Sequence, residues 1–419
     1  MTEKAMHKVG YRFCPTMLRR RNSVSTLVLL FMIALFGSPI AEAQTFTVLH
    51  NFGVGTDGAY PRGALLLDGS GNLYGTTSGG GTAKLGTLFE IDRSGKETIL
   101  YSFKGGTDGS SPASGLITDH KGHLYGTTYT GGNPNCDAAF GGCGTVFKFD
   151  LRSGQETVLY SFAGSPDGKN PLGGLVMDAS GNLYGTTFQG GALNCITAQE
   201  GCGVVFKLDS QGNETVLYTF LGAPDSANPT TSLTLDAQGD MYGTTDSGGD
   251  LNCSPNYGGC GTVFKLSQGH NRVLHRFAGY PTDGETPESP VIVDGLGNVY
   301  GSTSVGGSAF DGTLFRISAG GMEHVYSFTG SFTANEPIGP MLRDNHGNVY
   351  GASLGGGFYL CGTIFEISSS GRDTSLHDFE CTDGTYPMSG LIRDSAGNVY
   401  GTTYFGGSAN AGVVFKLSR

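Results

Sequence analysis

The sequence predicts an all-β protein, a seven-bladed β-propeller of four-stranded blades closed by its N-terminal strand. Three observations lead there. The heptapeptide GNLYGTT at 71–77 returns in near copies, its tyrosine recurring at Tyr74, Tyr125, Tyr184, Tyr242, Tyr300, Tyr350 and Tyr400, at intervals of 51, 59, 58, 58, 50 and 50 residues. A fixed period of this size is the mark of a propeller or solenoid array. Each unit also holds four short β-type runs, in the third unit GGLVMD (173–178), LYGTT (183–187), GVVFKLD (203–209) and ETVLYTF (214–220). Seven such units lie within the usual range of about 4–8 blades. Finally, the 72 glycines mark regularly spaced turns, and no run beyond the N-terminal segment has the apolar spacing of a long helix.

Taken in order, the chain opens on a segment unlike the rest. Lys4, Lys8, Arg12 and Arg19 to Arg21 precede the apolar run LVLLFMIALFG at 27–37, followed by AEA at 41–43. A charged start, a short apolar core and small residues at the site make 1–43 a predicted secretory signal peptide, leaving a propeller domain at 44–419. The run is too short to span a bilayer, which needs about 20 residues. The segment carries a formal charge of +4, so the remainder carries about −15 against −11 for the whole chain. Such a surface repels phosphate and excludes nucleic acid as a partner.

The run TFTVLHNF at 45–52 has the form of a fourth strand, and the last unit stops at GVVFKLSR (412–419) without one. The first strand of the mature chain is therefore expected to complete the last blade and remove two open sheet edges. Within each unit, the D-x-x-G-N run (Asp68, Asp119, Asp178, Asp236, Asp294, Asp344, Asp394) reads as the tight turn between the first two strands, with Asp accepting backbone amides and Gly adopting positive φ. A second series, Asp57, Asp108, Asp167, Asp225, Asp283 and Asp383, lies four residues before a proline and is assigned to turns, with Thr333 in its place in the sixth unit.

Eight cysteines follow the signal segment, an even count that reads as disulfides in an exported chain. The loop between second and third strands is seven residues longer in units 2, 3 and 4, and carries Cys136/Cys143, Cys195/Cys202 and Cys253/Cys260. Each pair is expected to staple its own loop. A hairpin centred on Gly371 brings Cys361 opposite Cys381 for a fourth bond. The spacings are wrong for zinc, and neither a metal nor a cofactor is expected.

Catalytic propellers break their symmetry, whereas most polar positions here recur in every unit. His50, His275 and His377 replace the outer-strand tyrosine and read as edge residues without convergent partners. His120, His270 and His346 fall in turns. No nucleophile–His–Asp set or phosphate loop is assembled by local sequence. The copies stop agreeing directly after YGTT, where aromatic residues Tyr129, Phe188, Tyr404 and Phe405 are the candidate ligand-binding positions.

The full unit, D-x-x-G-N-[LV]-Y-G-[TS]-[TS]-x-x-G-G followed by G-[TV]-[VLI]-F-[KER]-[LIF], resembles the Gloeo/Verruco (GloVer) tandem repeat of exported bacterial proteins, over about 45–419. The resemblance implies a propeller-like surface or secreted protein, often held by a C-terminal anchor, with no general catalytic activity. Because this chain ends on its last repeat, a free secreted or periplasmic monomer is expected. The expected function is a binding or interaction module for an extracellular carbohydrate, peptide or protein on the long-loop face. The alternative is a propeller-type lyase or hydrolase acting on an extracellular substrate.

Overall fold

The computed structural model describes residues 44–419, apart from 54, 138–140, 194, 196–199, 255–257, 331–332, 419 and the side chains of His324 and Val325. The segment assigned to a signal peptide lies outside the described residues. Seven antiparallel blades follow one another, and in the first six the four strands run in chain order from the inner to the outer edge. Blade 1 runs Leu66–Leu67, Leu73–Gly80, Thr87–Ile91 and Glu97–Ser102. Blade 7 consists of Ile392–Arg393, Val399–Thr403 and Val413–Ser418, completed by Thr45–Asn51. The closing strand pairs from Thr45↔Ser418 to Asn51↔Val413, as the phase of the repeat predicts. The N-terminal strand thus covers an edge that would otherwise template association.

Each letter of the repeated motif has a physical task, visible in blade 3. Asp178 Oδ1 accepts the amides of Ser180 and Asn182 at 2.9 Å, closing the turn. Its other oxygen accepts from the Asn182 amide group at 2.7 Å and the Tyr184 hydroxyl at 3.0 Å. The same Tyr–Asp bond recurs in all seven blades. Gly185 faces Phe206 in the sheet register. A Cβ there would sit 2.7 Å from the Phe206 ring, so only glycine leaves room for it. The buried threonines that follow bond outward: Thr186 Oγ1 donates to the Thr231 carbonyl of blade 4 at 3.3 Å.

Between blades, the packing is a ring of aromatic pairs. The phenylalanine that ends each outer strand is fully buried and meets, edge to face, the third-strand phenylalanine of the next blade. Phe52–Phe89, Phe103–Phe147, Phe162–Phe206, Phe220–Phe264, Phe277–Phe315, Phe328–Phe365 and Phe379–Phe415 have centroids 5.0–5.4 Å apart. Burial of each ring is worth about 1.5–3 kcal/mol and the edge-to-face geometry about 0.5–1.5 more. Every third–outer pairing contains a bulge, which adds local twist to the blade's outer edge.

In six blades the paired inner strand is two residues long, in blade 3 Val176–Met177 instead of 173–178, whereas in blade 6 it is continuous from Ala334 to Arg343. Ahead of the paired residues the chain runs against the neighbouring blade near the axis. There a Cβ on Gly173 would collide with the Thr231 carbonyl, so these residues pack against the next blade. No helix among the described residues is long and apolar enough to cross a membrane.

Candidate functional site

Connections between second and third strands, and between one blade's outer strand and the next blade's inner strand, emerge on the same face of the ring. Three positions per blade stand there around the axis. The first precedes a proline: Tyr60, Ser111, Asn170, Asn228, Thr286, Glu336 and Tyr386 all have φ between 53° and 63°. Left-handed backbone at a non-glycine residue costs about 1–2 kcal/mol, and it occurs here seven times in register. The second position follows the same proline. Arg62, Ala113, Leu172, Thr230, Glu288, Ile338 and Met388, one from each blade, line an axial cavity of about 270 Å³.

The third position is the residue directly after the YGTT motif, and the backbone pins it to the first. The amides of Tyr129, Phe188, Asp246, Ser304 and Tyr404 donate to the carbonyls of Ser111, Asn170, Asn228, Thr286 and Tyr386 at 2.9–3.1 Å. Side chains extend the link to neighbouring blades: Asn170 Nδ2 donates to the Tyr129 carbonyl and Asn228 Nδ2 to the Phe188 carbonyl, both at 2.9 Å.

These positions divide the mouth into two arcs. Blades 7, 1, 2 and 3 contribute aromatic residues. Tyr60 lies 5.3 Å from Tyr404 and 5.6 Å from Phe405 between ring centroids, and Tyr386 lies 6.1 Å from Phe405. The Arg62 guanidinium stands 5.8 Å over the Tyr404 ring, within the range of a cation–π contact. Blades 4, 5 and 6 contribute Asp246, Glu288 and Glu336. Burial raises the Asp246 carboxyl above its ordinary range, with the Glu285 charge adding to it. Burial also raises Glu288, Asp246 pushes it further, and a Ser304 hydrogen bond and the Arg62 charge pull it back.

Disulfides hold the walls. Cys136–Cys143, Cys195–Cys202, Cys253–Cys260 and Cys361–Cys381 are all bonded, with Cα separations of 5.3–5.8 Å. Lys169, 8% exposed, joins two stapled loops by bonding Asp137 at 2.6 Å and Glu200 at 2.7 Å. Its charge is held by partners from both loops, so blades 2 and 3 present one continuous wall.

Of the positions singled out in the sequence, Tyr404 and Phe405 meet at 4.6 Å beside Tyr60. Tyr129 and Phe188 hold the corresponding position in blades 2 and 3 and are half-buried. The proline-flanking residues, Arg62 and Glu288 above all, escaped sequence reading. Their signal was the same one, disagreement between copies at a fixed place in the repeat. The Asp57 series lies near the outer edge and closes loops: Asp167 accepts from the Tyr160 hydroxyl at 3.0 Å and the Ala163 amide at 2.8 Å. Two of the three outer-strand histidines are hydrogen-bonded, contrary to the sequence reading. His275 and His377 bond Asp283 and Asp383 at 2.9 Å, in the place of the tyrosine–aspartate bond. A larger cavity, about 780 Å³, lies on the opposite face between the Asp119 and Asp178 turns, where repeating motif residues contribute to the lining.

The sequence profile of the Gloeobacter/Verrucomicrobia repeat matches at 35–257 and again at 252–419. The chain belongs to this repeat family. As a Gloeobacter/Verrucomicrobia repeat protein it has no match among curated proteins. Among solved structures it is similar to an oligogalacturonate lyase in complex with manganese, at 12% identity and a TM-score of 0.52, covering 90% of this chain and 96% of that one. It is also similar to the extracellular domain of a hybrid two-component system from B. thetaiotaomicron, at 13% identity and a TM-score of 0.50, covering 86% of this chain and 39% of that one. A gluconolactonase from Xanthomonas campestris aligns at 11% identity with a TM-score of 0.42, over 89% of each chain. At these identities the likeness concerns the fold of this repeat protein alone.

Proposed function

We propose that this protein is an exported binding module whose axial mouth takes a carbohydrate. The observation that carries the reading is the division of the mouth, aromatic residues in blades 7 to 3 facing acidic residues in blades 4 to 6. Aromatic faces stack on the apolar faces of sugar rings, while carboxyls and Arg62 hydrogen-bond the hydroxyls at their edges. The disulfides and the family support an extracellular setting. A glycan array probed with the 44–419 protein tests this. Binding to a defined glycan set, weakened at least tenfold by Tyr404→Ala, is the expected result; an array without signal would remove carbohydrate from consideration.

A second reading rests on Asp246 and Glu288. Burial favours the protonated form of both carboxyls, as a general acid requires, which would make the mouth a hydrolase or lyase site for the same ligand. If turnover of a bound glycan is detected and Glu288→Gln abolishes it without loss of binding, the enzymatic reading prevails.

A further inference from the structure

At each junction between blades, three side-chain positions meet near the outer edge: the outer-strand ring residue, the loop position four residues before the proline, and the first inward residue of the next outer strand. Their contents vary together. Tyr101, Asp108 and Glu156 form one set and Tyr160, Asp167 and Glu214 another, in which the phenol donates to the aspartate at 2.6 and 3.0 Å. Where the loop position is Thr333, the tyrosine, Tyr326, donates instead to Asp373 of the next blade at 3.1 Å. Where the ring residue is His275 or His377, the third position is apolar, Met322 packed in the core and Phe46 stacked on His377 at 3.6 Å.

The junction that closes the ring departs from all of these. It combines His50 of the closing strand with Asp57 of the loop that follows and Glu97 of blade 1. Their ligand atoms lie within 4.8 Å of one another. His50 Nε2 and Glu97 Oε1 are sealed from solvent and lack a hydrogen-bond partner. An orphaned glutamate oxygen also occurs at Glu156 and Glu214, so the feature peculiar to the seam is the imidazole nitrogen. In the other two His–Asp pairs that nitrogen lies 2.9 Å from its carboxylate. Here the separation is 3.6 Å, too long for a hydrogen bond. It is close to the roughly 3.4 Å that separates two ligands about 2.0–2.2 Å from one tetrahedral ion. Asp57 is already oriented, its two oxygens accepting the Gly53 and Gly58 amides at 2.7 Å, which leaves a lone pair on Oδ2 for a further partner.

We propose that His50, Asp57 and Glu97 bind one divalent transition-metal ion of the zinc class, which clasps the seam between the first and last blades. Imidazole with two carboxylates favours such an ion over calcium or magnesium, which take oxygen ligands. Three protein ligands leave a fourth position for water. The ion satisfies the orphaned nitrogen and oxygen and ties the closing strand, through His50, to the outer strand of blade 1.

The test is titration of chelator-treated 44–419 protein with Zn²⁺, read by calorimetry and by thermal unfolding. One equivalent is expected to bind and raise the melting temperature, with the gain reversed by chelator. His50→Gln and Glu97→Gln should each weaken binding at least tenfold, while His275→Gln, in a comparable His–Asp pair, leaves it unchanged. Should His50→Gln fail to fold, Glu97→Gln decides, since it keeps the size of the side chain. Absence of saturable binding, or binding that survives Glu97→Gln undiminished, overturns the proposal.

Discussion

Glu214 stands on an outer strand behind Asp167, and burial pushes its carboxyl up to about 7, with the Asp167 charge adding to it. A carboxyl whose folded pKa exceeds its unfolded one contributes stability that is complete below about 4.5 and lost as pH rises through about 7. Glu214→Gln removes the charge and keeps the shape. Its melting temperature is expected to match the parent near pH 4 and to exceed it at pH 8; parallel curves would show that Glu214 titrates normally. Residues of this kind were hard to read from sequence. Asp68 and Tyr74 belong to one motif, but their bond spans six positions and the sheet pairing decides that the hydroxyl reaches the carboxylate. Glu214 meets Asp167 only because the blades adjoin, so neither residue alone announced the contact.

Elements were legible where their signal was local. The added length of three loops and their cysteines marked the stapled excursions, and the hairpin around Gly371 placed Cys361 near Cys381 at a Cα separation of 5.3 Å. That bond closes 20 residues of sequence, enough to restrict the unfolded chain by about 3 kcal/mol. Replacing both cysteines by serine should lower the unfolding free energy in urea by about that amount. A loss under about 1 kcal/mol would show that the unfolded chain was already confined there. Less legible were the two-residue ribbons on the loop face, such as Gly168–Lys169 against Gln189–Gly190. They are too short for any periodicity, yet they fix the residue after each motif beside the one before each proline.

At the scale of the molecule, the number of units and the phase of the first and last runs foretold a ring and its closure. What they could not supply was convergence: which of the variable positions in seven separate copies would face one axis. Arg62 and Glu288 are over two hundred residues apart in sequence, yet the Arg62 charge acts on the Glu288 carboxyl across the mouth. The closing strand carries Phe46 against Phe379 and Phe415 at 5.6 Å and covers the edge of Val413–Ser418. Deleting 44–51 is expected to give a chain that self-associates on size-exclusion chromatography and unfolds without a sharp transition. A monomer with unchanged cooperativity would show that the remaining contacts suffice to hold the ring.

The seven left-handed residues before the prolines have one more consequence. Tyrosine, serine, asparagine, threonine and glutamate all occupy the same backbone conformation there, and the two asparagines also tie it to a neighbouring blade through their side chains. The mouth is thus a fixed frame of seven sockets, two of which also brace it. Exchanging the side chain at one of the other five places between units is expected to change the chemistry of the mouth and to leave the backbone that presents it in place.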